Sequence, residues 1–123
     1  MSKISPSALD EQLASDNAPV VLDIRPAADF RDDHIEGSRN VPVYGELRNG
    51  ESQGFREHLE DLDSDRRVVT VCKAGIVARK ATRILEDEGY ESETLAGGIR
   101  RWKGYESDSF GYRVRSVLGS VLP

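Results

Sequence analysis

Val68-Val69-Thr70-Val71-Cys72-Lys73-Ala74-Gly75-Ile76-Val77-Ala78-Arg79 reads as a strand that hands a thiol to a helix. The β-branched run over 67–71 predicts a buried strand. The helix that follows runs from Ile76 to Glu88, with Val77, Ala81, Ile84 and Leu85 on one face and Gly89 just past its end. Cys72, the chain's one cysteine, stands at the joint between them. Backbone N–H groups and the helix dipole converge there, a setting that stabilises negative charge on sulfur. Cys72 is therefore a candidate nucleophile.

The flanking sequence repeats the alternation of strand and helix, the pattern of a parallel α/β domain. Ser5-Pro6 reads as N-cap and first helical residue of a helix through Leu9 and Leu13. Val20 to Ile24 is a strand, Pro26 to Arg31 one or two helical turns, and 35–42 a turn leading into a short strand. Residues 44–54, polar with three glycines, read as a loop. Phe55, Leu59 and Leu62 give the spacing of a short helix. Glu91 to Leu95 is the next strand, and Gly97-Gly98 turns into a short helix carrying Trp102. At the end of the chain, Phe110, Val114, Val117, Leu118 and Val121 share one helical face, interrupted by Gly111 and Gly119.

The 123 residues suit one domain with a single layered core. A hydrophobic content of 37% beside 32% charged residues is that of a folded chain, so disorder and membrane embedding are not expected. No apolar run approaches a bilayer span, and Met1 to Pro6 lacks the apolar centre of a signal peptide, so a cytoplasmic protein is the default expectation. The formal net charge of −5 speaks against a nucleic-acid partner. One cysteine makes no internal disulfide, and with His34 and His58 it spells no metal cluster. Neither a metal nor a cofactor is expected.

Three stretches resemble the rhodanese family of sulfurtransferases. Val21-Leu22-Asp23-Ile24-Arg25, with Phe30 and 34–42 (HIEGSRNVP), is similar to its first signature. Val71-Cys72-Lys73-Ala74-Gly75 is similar to its active-site loop, and Leu95-Ala96-Gly97-Gly98-Ile99 with Trp102 to its closing motif. The resemblance spans Ser5 to Lys103, giving a domain over 1–103 and an extension over 104–123, expected to pack as a short amphipathic helix on the domain. It implies a small parallel sheet between helices, in three layers, and a cysteine that carries sulfane sulfur as a persulfide. The implied partners are a thiosulfate- or persulfide-type donor and a thiol or cyanide-like acceptor, with a protein thiol as a further acceptor.

On this reading Cys72 is the catalytic residue. Lys73, Ala74, Gly75, Ile76, Val77 and Ala78 form the loop that binds the transferred sulfur. Many family members carry arginine where this chain has Val77, so weak thiosulfate binding is expected. Lys73 supplies part of the missing charge, and Arg79 is a supporting residue if it turns back to the mouth. Asp23 and Arg25 are supporting residues too, read as scaffold, with Arg25 pairing Asp29 or the main chain. His34 reads as structural, His58 as solvated and Trp102 as core. Two rivals share the fold: a non-catalytic binding module and a cysteine-dependent phosphatase. The latter needs C-x5-R, whereas six residues separate Cys72 from Arg79.

Overall fold

The computed structural model describes residues 2–63 and 65–108. Strands β1 (Lys3–Ile4), β2 (Val20–Asp23), β3 (Arg39–Asn40), β4 (Val68–Val71) and β5 (Ser92–Leu95) form one sheet in the order β1-β5-β4-β2-β3. Every neighbouring pair is parallel. Helices α1 (Pro6–Leu13), α2 (Ala27–Asp32), α3 (Tyr44–Arg48), α4 (Gln53–His58), α5 (Ala78–Asp87) and α6 (Gly98–Asp108) join the strands, and a 3-10 turn over Leu59–Asp61 follows α4. This is the expected parallel α/β sheet flanked by helices.

Both faces of the central strands are covered, which is why they read as continuous apolar runs. Val20, Leu22 and Val68 pack with Leu47, Phe55, Ala81 and Leu85 beneath α3, α4 and α5. Val21, Val69 and Val71 pack with Leu9, Ile99 and Trp102 beneath α1 and α6. Helix starts and stops follow from the sequence. The Ser5 hydroxyl accepts from the Ala8 N–H at 3.2 Å, with Pro6 as the first helical residue of α1. At the end of α5, Gly89 takes φ 93°, and the N–H groups of Gly89 and Tyr90 return to the carbonyls of Glu86 and Leu85 at 3.0 and 2.9 Å.

Residues 44–54 are not the loop expected of them. Helix α3 occupies Tyr44–Arg48, and α4 already begins at Gln53. Gly50 (φ 84°) ends α3 as Gly89 ends α5: its N–H returns to Leu47 at 3.1 Å, and that of Glu51 to Glu46 at 2.8 Å. The glycine is a helix stop, and buried Leu47 is the anchor that makes so short a helix stay down. Strand β1 is also more than the sequence suggests, pairing Lys3 with Thr94 and Ile4 with Leu95 at the sheet edge.

Helix α6 runs through Lys103 to Asp108. Tyr105 packs on the α1–α6 side of the core, and its hydroxyl donates to Asp10 Oδ2 at 2.6 Å. The amphipathic segment from Phe110 to Val121 lies outside the described residues. Among the described residues, no helix is long and apolar enough to cross a membrane.

Candidate active site

In a sheet ordered β1-β5-β4-β2-β3, the chain leaves β2 toward β3 on one side and β4 toward β5 on the other. The crevice beyond the carboxyl ends of β2 and β4 is thus the switch point, where open parallel sheets bind ligands. Cys72 follows β4, and Asp23 ends β2.

Cys72 is buried, 1% exposed, beneath its own loop. Its Sγ accepts the backbone N–H of Gly75 at 3.1 Å and of Ala78 at 3.4 Å. Ala78 is the first residue of α5, so the sulfur satisfies one of the donors that a helix start leaves unpaired. Gly75 takes φ 84°, and a Cβ there would sit 3.0 Å from the Gly97 nitrogen and 3.1 Å from the Leu95 oxygen. Both the turn and the close packing require glycine.

The second wall of the site comes from α6. The N–H groups of Ile99 and Arg100 donate to the carbonyls of Cys72 and Lys73 at 2.9 and 3.2 Å. Gly98 permits this approach: a Cβ on it would lie 2.4 Å from the Cys72 oxygen and 2.5 Å from the Lys73 oxygen. Gly97, Gly98, Ile99 and Arg100 therefore help shape the loop, although none of them stands out in the sequence as a site residue. The glycine pair was the available signal.

The six loop residues divide. Lys73, Ala74 and Ile76 are exposed, and Ile76 is the one exposed large apolar side chain among the described residues. Val77 and Ala78 turn into the core beneath α3 to α5. The Val77 side chain is thus packed away from solvent and brings no charge to the mouth. Arg79 is exposed on α5, and no hydrogen bond or ion pair ties its side chain to the loop among the described residues.

Arg25 does not pair with Asp29. Its Nε donates to both Asp23 carboxylate oxygens at 3.0 and 3.1 Å, and its Nη2 to Asp23 Oδ2 at 2.8 Å. Nη2 also reaches the Asp33 carbonyl at 2.7 Å, the main-chain partner anticipated in kind, and Nη1 lies 3.5 Å from the Asp33 carboxylate. Burial opposes the Arg25 charge, but the hydrogen bonds and charges of Asp23 and Asp33 outweigh it and raise the guanidinium pKa. Asn40 completes the corner, donating to the carbonyls of Asp23 and Arg25 at 3.0 and 2.9 Å. Lys103 of α6 pairs with Asp33; its hydrogen bond, aided by Arg25, holds the Asp33 carboxyl below the usual range. The Asp23 carboxylate and the Nε and Nη2 of Arg25 are thus bonded within this corner.

An open depression of about 290 Å³ lies over the crevice, lined by Arg25, Asp29, Asp32 and Asp33 on one side and Lys73, Ile99, Arg100 and Lys103 on the other. No ion pair engages the side chains of Lys73, Arg100, Asp29 or Asp32 among the described residues. His34 stands apart, its ring stacked on Phe30 at 4.0 Å between centroids and its Nδ1 2.8 Å from the Phe30 carbonyl oxygen. His58 is exposed and Trp102 is buried, as expected.

Fold and site together define a parallel α/β domain built to present one thiol at the start of a helix. The chain belongs to the rhodanese-like domain family, whose model matches residues 5–105. It is 25% identical over 104 residues to the Bacillus subtilis protein named "Putative sulfurtransferase YtwF", covering 85% of this chain and 92% of that one. It is 33% identical over 92 residues to the "Adenylyltransferase and sulfurtransferase UBA4" of Candida glabrata, covering 72% of this chain and 21% of that much longer one. A rhodanese-related protein from Thermoplasma volcanium superposes with a TM-score of 0.69 at 26% identity, over 85% of this chain and 92% of the other. Membership of this family and the sulfurtransferase names of these relatives support a domain of the sulfurtransferase type.

Proposed function

We propose that the protein moves sulfane sulfur through a persulfide on Cys72. The observation that carries this reading is the pair of N–H donors, from Gly75 and Ala78, on the Cys72 sulfur. Backbone donors aimed at a sulfur favour its anionic forms, and they need no reorganisation when the charge arrives. The Cys72 thiolate attacks the outer sulfur of a donor R–S–SH. A bond forms between the two sulfurs, the donor's S–S bond breaks, and R–S⁻ leaves with the electron pair. With thiosulfate the leaving group is sulfite.

The terminal sulfur of the resulting Cys72 persulfide lies in the turn 73–78. There the N–H groups of Ala74, Ile76 and Val77 have no acceptor among the described residues and supply its remaining donors. An acceptor thiolate or cyanide then attacks that sulfur and releases the Cys72 thiolate.

The depression beside the loop favours a thiol-linked donor over thiosulfate. It sets Lys73 and Arg100 against Asp29 and Asp32, so a small dianion meets carboxylates as well as cations. With Val77 packed inward, no loop arginine shifts that balance. Exposed Ile76 on the loop rim gives a protein thiol acceptor an apolar contact.

Intact mass after incubation with thiosulfate or cysteine persulfide tests the proposal. A gain of one sulfur atom, reversed by dithiothreitol and absent in Cys72→Ser, is the expected result. A binding module would gain nothing from either donor.

A further inference from the structure

Beneath the loop lies a polar feature that sulfur transfer does not itself call for. Thr70 on β4, Thr82 on α5 and Thr94 on β5 are each at most 1% exposed. Their hydroxyls form one chain: Thr70 to Thr82 at 2.9 Å and Thr82 to Thr94 at 2.6 Å. At one end the Thr70 hydroxyl donates to the Ala78 carbonyl at 3.0 Å. The direction of the whole chain follows, because each hydroxyl carries a single proton. The Thr70 proton is committed to Ala78, so Thr82 must donate to Thr70, and Thr94 to Thr82. The order is Thr94 to Thr82 to Thr70 to Ala78, and it ends on the residue whose N–H reaches the Cys72 sulfur.

We propose that this buried hydroxyl chain positions the sulfur cradle, with Thr70 and Thr82 as positioning residues. Two strands and a helix are pinned to Ala78 from below while its N–H is aimed at Sγ from above. The first turn of a helix is the part most prone to fray, since its N–H groups lack intrahelical acceptors. A side chain anchored on the Ala78 carbonyl removes that freedom at the one N–H of α5 that contacts the sulfur. An apolar trio of the same size would pack the helix equally well but leave the Ala78 carbonyl with its intrahelical bond alone. The importance for catalysis rests on the persulfide reading; the effect on Ala78 does not.

The direction of the chain makes the proposal testable by one substitution at three places. Thr→Val at 70, 82 and 94 makes the same chemical change at three equally buried sites, so loss of packing alone predicts similar effects. A directed chain predicts a gradient. Thr70→Val cuts the bond to Ala78, Thr82→Val removes the donor behind it, and Thr94→Val leaves both inner bonds intact. Amide hydrogen exchange at Ala78, with Gly75 as internal reference, should accelerate most in Thr70→Val and least in Thr94→Val. Persulfide loading of Cys72 should follow the same order, reaching about tenfold slower in Thr70→Val, the scale of weakening a hydrogen bond to a charged group. The donor KM should stay unchanged, and Thr82→Ser should restore both readouts.

Equal effects at the three sites, or a lower melting temperature with unaltered Ala78 exchange, would overturn the proposal. If Thr70→Val does not fold, the order of Thr82→Val over Thr94→Val, with rescue by Thr82→Ser, still decides. Ala78 exchange does not depend on sulfur transfer. A graded exchange in a protein that takes up no sulfur would therefore sink the persulfide reading and leave the positioning role standing.

Discussion

Two strand ends meet at the switch point, and they are held by different kinds of group. The end of β2 is built from side chains: Asp23, Arg25 and Asn40 bond to one another and to nearby carbonyls, and Asp33 closes the corner. The end of β4 is built from backbone: N–H groups face the Cys72 sulfur, and the N–H groups of α6 face the loop carbonyls. A corner of paired charges is rigid, but its groups are already satisfied and have little left to offer a substrate. A loop of aligned N–H groups can hold charge that comes and goes. On the proposed persulfide reading, chemistry sits on β4 and support on β2, although both ends lie at the same crevice.

From that division, substitutions on the β2 side should lower stability more than chemistry. The largest such effect is expected from Arg25→Ala, which strands the Asp23 carboxylate, 1% exposed, without its partner. Breaking a buried pair by removing one member costs about 3–5 kcal/mol. Chemical denaturation would read that loss, while sulfur loading per folded molecule should stay within a few-fold of the parent.

The β4 side should behave in the opposite way. Gly98→Ala places a Cβ 2.4 Å from the Cys72 oxygen, so α6 must withdraw and give up its bonds to Cys72 and Lys73. The backbone term alone is about 1–3 kcal/mol for a side chain forced into this region, and sulfur loading should fall by an order of magnitude or more. Gly75→Ala meets gentler contacts, at 3.0 and 3.1 Å, and should cost less stability. Because Gly75 donates to the sulfur, its loading should nevertheless fall at least tenfold. A Gly75→Ala protein that loads normally would mean that the cradle tolerates displacement, and the contrast between the two strand ends would fail.

The site was legible where local rules decide it. The β-branched run into Cys72, the amphipathic face of α5 and the Ser5-Pro6 start are short-range signals, and each matches an element of the fold. Long-range partners were not legible. The Asp23 partner of Arg25 is two residues away and open to local reading, but nothing local told Arg25 to reach Asp33 in preference to Asp29, because that choice depends on where α2 ends. Gly97-Gly98 announced a turn, but its purpose, contact with the Cys72 loop, depends on β4 and β5 being neighbours. Gly50 misled because the same residue type marks loops and helix ends; the buried Leu47 before it separates the two. Strand β1 is two residues long and exists only by pairing with β5, so no periodicity could reveal it.

The smallest expected effect concerns the outer edge of the β2 corner and is read through pH. Asp33, paired with Lys103 and near Arg25, has its carboxyl pKa lowered. A lowered folded pKa contributes stability that is present above the unfolded carboxylate value of about 3.9 and is lost as pH falls through the folded value. The Asp33 and Lys103 side chains are 37% and 59% exposed, so water screens the pair and its worth stays below about 1 kcal/mol. Asp33→Asn should accordingly lower stability slightly at pH 7, less so at high salt, and the variant and parent should converge in acid. The main-chain bond from Arg25 to the Asp33 carbonyl survives this substitution, as does the buried pair with Asp23. Melting curves across pH 3 to 7 would show the convergence. A loss at pH 7 as large as that of Arg25→Ala would mean that the corner is anchored at its exposed edge instead of at Asp23.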